Sequence, residues 1–191
     1  MAKKKKSAKH IHASQALAGK GEKQTHRTVR GSFKNTPGWI VPAIIIITLI
    51  VFIPVFSAGF VNLDDDDYVR NNFMITDFSH IKLLLTSPVQ GNYHPLTMFT
   101  LFINYQMSGL NPWSYHLFNI IFHLLNCFLV FRLALLLSKE NNIIAFTTAL
   151  LFGIHPMHVE SVAWVSERKD VLYGLFFLAG LISYKIGRAH V

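Results

Sequence analysis

Charge is what this sequence has least of. Only 15% of its 191 residues are charged, and acids are the scarcer kind, 10 Asp and Glu against 18 Lys and Arg. An average soluble domain carries roughly 25% charged residues, so the shortage argues against a soluble globule and for a membrane protein. Cysteine is nearly absent too. The single Cys127 sits in an apolar run, which excludes an intramolecular disulfide framework. No small-residue cleavage site clearly ends the first apolar run, and that run starts late, so a secretory signal peptide fits poorly.

The charge that is present is unevenly divided. Residues 1–38 hold ten Lys or Arg and one acid, Glu22, which leaves residues 39–191 within one unit of neutrality. The basic character is therefore a tail and not a property of the body, which weakens a nucleic-acid reading. The tail has few large apolar side chains and reads as a disordered cytoplasmic segment that sets orientation.

Apolar runs dominate the rest and predict an all-α, polytopic integral membrane protein of about four spans, at 39–61, 114–137, 143–164 and 170–185. The first runs from Trp39 to about Val61 without a charge. About 23 residues at 1.5 Å each cover roughly 34 Å, enough for a bilayer core. Pro42 suits its first turn, and Pro54 should disturb its outer half. The positive-inside tendency puts the tail in the cytoplasm and Asp64 outside. In the outer segment 62–113, Phe78–Thr86 reads as a short amphipathic surface helix. Residues 95–107 are apolar but too short for a span and read as a surface or re-entrant helix, begun by Pro95 and stopped by Gly109 and Pro112. Trp113 suits an interfacial anchor.

The second span carries a polar stripe. His116, Asn119, His123 and Asn126 follow steps of three, four and three, which puts them on one helix face. Inter-helix hydrogen bonding is the structural reading of such a stripe, and a path for a transported solute the functional one. A transporter would carry more charge inside its spans, and this second span has only Arg132, near its inner end.

Four clusters are candidates for chemistry. Asp64–Asp67 is a run of four adjacent acids that can serve as a general base or hold a divalent cation, or be a solvated turn. His155, His158 and Glu160 have a spacing that would present metal ligands on one helix face, although no strong zinc signature is present, or are hydrogen-bonded polar groups at a helix entrance. Arg168 and Lys169 stand on the outer side against the positive-inside tendency. They read as a phosphate clamp, or as partners of the flanking Glu167 and Asp170. Tyr93-His94-Pro95-Leu96 is a turn-to-helix signal.

Three strings carry a resemblance: FVNLDDDDYVRNN, GNYHPLTMFTLFINYQMSGLNPWSYHLFNIIFHLLN and LFGIHPMHVESVAWVSERKDVLYGLFFLAGLISY. In this order, over about residues 58–185, the chain resembles the N-terminal membrane region of the transmembrane O-mannosyltransferases with tetratricopeptide repeats and their bacterial relatives. These are members of the GT-C glycosyltransferases. The usual acidic pair of the family is a run of four here. The resemblance implies a larger GT-C bundle and an enzyme that takes a sugar, such as mannose, from a polyprenyl-phosphate donor to a protein or glycan hydroxyl. It implies the acidic pair Asp64 and Asp65 as the catalytic base that deprotonates the acceptor hydroxyl. It also implies substrate-binding roles for His94, His155, His158, Glu160, Arg168 and Lys169 and a place in a bacterial cytoplasmic membrane, and it adds no metal to the divalent cation that Asp64–Asp67 can hold. The alternative is a non-enzymatic membrane anchor for a repeat domain that binds proteins. No 34-residue repeat occurs in this chain. The last six residues, IGRAHV, match a translated sequencing adapter, so residues 186–191 are expected to be artefact and the gene to continue. The piece alone is expected to be inactive.

Overall fold

The computed structural model describes residues 36–188. The basic tail, apart from its last three residues, and positions 189–191 lie outside the described residues. Within them the chain is all-α, with no strand, and three of its helices are long and apolar enough to cross a membrane.

The first, α1 (Ile40–Phe52), continues as a 3-10 helix over Ile53–Ser57. The change of helix type falls where Pro54 removes an N–H and crowds the preceding turn. After a loop and a π-helical turn at Asp66–Arg70, two 3-10 turns lead into α2 (Ile81–Thr86). Pro95 then opens α3 (Pro95–Ser108), which closes at Gly109, where φ is +57° and a side chain would be strained.

The longest helix is α4 (Pro112–Leu137), capped by Asn111, whose side-chain oxygen accepts from Trp113 N. A tight turn with Lys139 and Glu140 at positive φ leads to α5 (Asn142–Ile154), capped by Asn141 through the amides of Ile143 and Ile144. Two more helices follow, α6 (His158–Ala163) and α7 (Arg168–Arg188).

The span expected over 143–164 is interrupted. Its helix is 13 residues long and stops at Ile154, which gives about 20 Å of rise, short of a bilayer core. His155 is extended because a residue before proline is pushed out of the helical region, and α6 starts afresh at His158.

Packing runs through α4, which contacts α1, α5, α6 and α7. At one end Ile40, Ile44, Cys127, Phe131, Leu135, Ala145 and Ala149 form the core of α1, α4 and α5. Midway, Phe52, Val55, Ile120, Val162 and Val171 join α1 and α4 to α6 and α7. A third core, including Tyr68, Ile75, Leu84, Met98, Leu101, Tyr115 and Val165, joins residues 62–108 to the start of α4 and the α6–α7 turn. That segment is therefore a packed unit seated on the helix ends. Gln106 strengthens it by donating from α3 to the carbonyls of Ile75 and Thr76.

The polar stripe of α4 faces inward and is fully buried. His116 Nε2 donates to Ala58 O, His123 Nε2 to Gly153 O, and Asn126 Nδ2 to Val171 O. Asn119 Nδ2 donates to the carbonyls of Val162 and Trp164. The Ala58, Gly153, Val162 and Trp164 carbonyls lie at or just after helix ends, where no intrahelical donor reaches them, and the stripe satisfies them from a neighbouring helix.

Candidate functional site

The four acids do not act as one group, because the turn at Asp66–Arg70 sends their side chains to different partners. Asp65 is completely buried, and its two oxygens accept from Val61 N at 2.9 Å and Ser166 N at 2.8 Å. Asp66 pairs with Arg70 at 3.0 Å, and Asp67 accepts from the Gln90 amide. Asp64 is half-buried. The divalent cation expected at Asp64–Asp67 thus finds no convergent carboxylates, and no group of three potential metal ligands is brought together among the described residues.

Asp64 lies within electrostatic reach of Lys169. Lys169 sits in the first turn of α7, bonded to Glu167 at 2.9 Å and poised 5.9 Å from the Tyr68 ring centre. The flanking-acid pairing expected from sequence is thus present. Lys169 and His94 share an open cleft of about 380 Å³ with Asn92, Asp170 and Tyr173. The cleft lies where the start of α3 meets the start of α7. Pro95 holds His94 just outside α3, and Ser161 of α6 donates to Asp170 across the α6–α7 turn. A cation, an imidazole, an amide, a phenol and the Asp170 carboxylate thus surround the space, and the cation is within electrostatic reach of half-buried Asp64. Such a set can receive an anionic group beside a base.

Arg168 is not part of that cleft. Its side chain is completely buried, and the guanidinium donates to Asn119 Oδ1 (2.7 Å), Asn104 Oδ1 (2.5 Å), Thr100 Oγ1 (3.3 Å) and Tyr115 O (2.9 Å). The rings of Tyr115 and Phe118 lie within 6 Å of it, their centres at 5.9 and 5.7 Å. Arg168 therefore differs from the exposed clamp that its sequence position suggests. Its donors are spent inside the protein.

The His155, His158 and Glu160 set is also rearranged. The break at Pro156 takes His155 off the helix, so the expected one-face spacing is lost. His155 accepts from Met157 N, and Glu160 is exposed. His158 turns inward, with ring centres 4.3 Å from Phe152 and 5.4 Å from His123. Burial, and then the neighbouring His155, hold the His158 imidazole below its usual range. None of the three lines the cleft.

Asn92, Tyr173, Ser166, Thr100 and Asn104 were not apparent as site residues. Thr97, Thr100 and Asn104 repeat, on α3, the three–four spacing that marks the stripe of α4, and that signal finds them. Ser166 acts through its backbone N–H, which no side-chain pattern announces.

The same strings place the chain among known proteins. Over 137 residues, 66% of this chain, it is 42% identical to Protein O-mannosyl-transferase TMTC3 of Homo sapiens and 36% identical to its namesake of Mus musculus. Over 148 residues, 71% of this chain, it is 34% identical to Protein O-mannosyl-transferase TMTC2 of Mus musculus. These are homologues. The chain spans only 14% of the length of each TMTC3 protein and 17% of that of TMTC2. No family model matches the chain, and no solved structure matches it.

Proposed function

We propose that this chain forms the donor-binding face of a membrane O-mannosyltransferase of the GT-C kind, with its N-terminus in the cytoplasm. The donor is a polyprenyl-phosphate sugar, and the acceptor is a hydroxyl of a protein or glycan. The observation that carries the reading is the open cleft that Lys169 and His94 share, with half-buried Asp64 within electrostatic reach of Lys169. The homologues' names supply the sugar and the class of acceptor.

Asp64 takes the proton of the acceptor hydroxyl as its oxygen attacks the anomeric carbon. The bond from that carbon to the phosphate oxygen breaks, and the lipid phosphate leaves with the bonding pair. Lys169 and His94, with the N-terminal end of α7, meet the growing negative charge. Burial disqualifies Asp65 from proton transfer and gives it another task, holding the loop that presents Asp64. His155, His158 and Glu160 have no part in this step.

In the full-length protein, Asp64→Asn is expected to abolish mannosyl transfer from a polyprenyl-phosphate donor while leaving donor binding intact. Lys169→Met is expected to raise the donor KM. Undiminished transfer by Asp64→Asn and by the Asp64→Asn, Asp65→Asn double variant would remove the catalytic claim.

A further inference from the structure

We infer that Arg168 is a positioning residue: from inside the protein it locks the turn that holds the Asp64–Asp65 loop in place. The catalytic half of this inference rests on the glycosyl-transfer reading, and the structural half does not.

Arg168 joins three parts of the molecule that sequence keeps far apart. Asn119 on α4 and the carbonyl of Tyr115 accept from it, and so do Thr100 and Asn104 on α3. Each accepting side chain is tied in turn. Asn119 donates to the carbonyls of Val162 and Trp164, Asn104 to Ser114 O, and Thr100 to Thr97 O. The network therefore fixes residues 162–168 against α3 and α4. Ser166, inside that stretch, donates its N–H to Asp65 Oδ1, while Val61 donates to the other oxygen. The path from guanidinium to candidate base runs from Arg168 through the α6–α7 turn and Ser166 to Asp65, and ends at Asp64.

A buried guanidinium is costly unless its donors are satisfied, and a fork of fixed shape tolerates few arrangements of acceptors. Here the acceptors come from two helices and lie beside two aromatic rings. The fork selects one arrangement of α3, α4 and the α6–α7 turn. Lysine keeps the charge but lacks the fork, so it can replace the interaction only in part.

The test is hydrogen exchange and steady-state kinetics on the full-length protein in lipid nanodiscs. In Arg168→Met, amides in residues 61–70 and 161–167 are expected to exchange at least tenfold faster, with α5 unchanged. Arg168→Lys and Thr100→Val should give intermediate increases, and they carry the test if Arg168→Met does not fold. Lys169→Met should leave these amides within twofold of the native rate. With a polyprenyl-phosphate mannose donor, Arg168→Met should lower kcat at least tenfold with the donor KM within twofold, and Arg168→Lys should restore part of kcat. Native exchange in folded Arg168→Met, or a tenfold rise in donor KM at native kcat, would overturn the inference. A native protein that transfers no mannose would remove the glycosyl-transfer reading, and the exchange result would still decide the positioning role.

Discussion

Asp64 and Asp65 are adjacent and chemically identical, yet their surroundings assign them different work. Asp65 faces two N–H donors with no exposed surface. In Asp65→Asn, one of those donors would face an amide NH2, leaving a buried donor unsatisfied at a cost of about 1–3 kcal/mol. Asp64→Asn removes a half-buried carboxylate and should cost less than about 0.5 kcal/mol. Thermal unfolding of the two variants should show this split, and equal midpoints would refute it. His158 gives a pH dependence. Its folded-state pKa lies below the unfolded value, so the unfolded chain takes up the proton first. Stability from this group is present above about pH 6.5 and declines as pH falls through that value. Replacing it, as in His158→Phe, should flatten the decline in melting temperature between about pH 7 and pH 5. An unchanged slope would count against the assignment.

Helix ends were the most legible elements because the chain marks them with local chemistry. Pro95 and Gly109 bound α3 as expected, whereas Pro112, expected only as a stop, also opens α4, with Asn111 as its cap. The helix expected over 143–164 ends at Ile154 in the structure, because His155-Pro156 is a helix stop. Helix contact is a different matter. Gly153 on α5 lies where α1 and α4 also meet. A side-chain carbon there would run into Thr48 Oγ1 and come 3.1 Å from Cys127 Sγ. Overpacking of this kind costs about 1–3 kcal/mol. Gly153→Ala should therefore lower the unfolding temperature, and Thr48→Ala added to it should recover part of the loss, because the two sites touch. Full additivity of the two changes would show that they do not meet.

For the molecule as a whole, the helices set the faces. The 26 residues of α4 separate the 62–111 segment from the turn at residues 138–141. Their rise is about 39 Å, longer than a bilayer core. Leu63→Cys and Glu140→Cys are therefore expected to react with a membrane-impermeant maleimide from opposite sides. Labelling of both from one side would overturn the arrangement.

The membrane character follows from the sequence alone, since uncharged apolar runs have no stable place in water whatever their partners. The inward stripe of α4 follows too, because helical periodicity fixes which residues share a face. Tertiary structure decided what the charged groups do. The Asp65 carboxylate is bound by an amide 101 residues away, and Arg168 by acceptors 49 to 68 residues away. Burial and hydrogen-bond partnership are properties of such meetings, and a local reading sees the two residues only as an acid in a run and a base beside a lysine. Packing buried both, Asp65 against two backbone amides and Arg168 among acceptors of two helices, and left Lys169 at the open cleft.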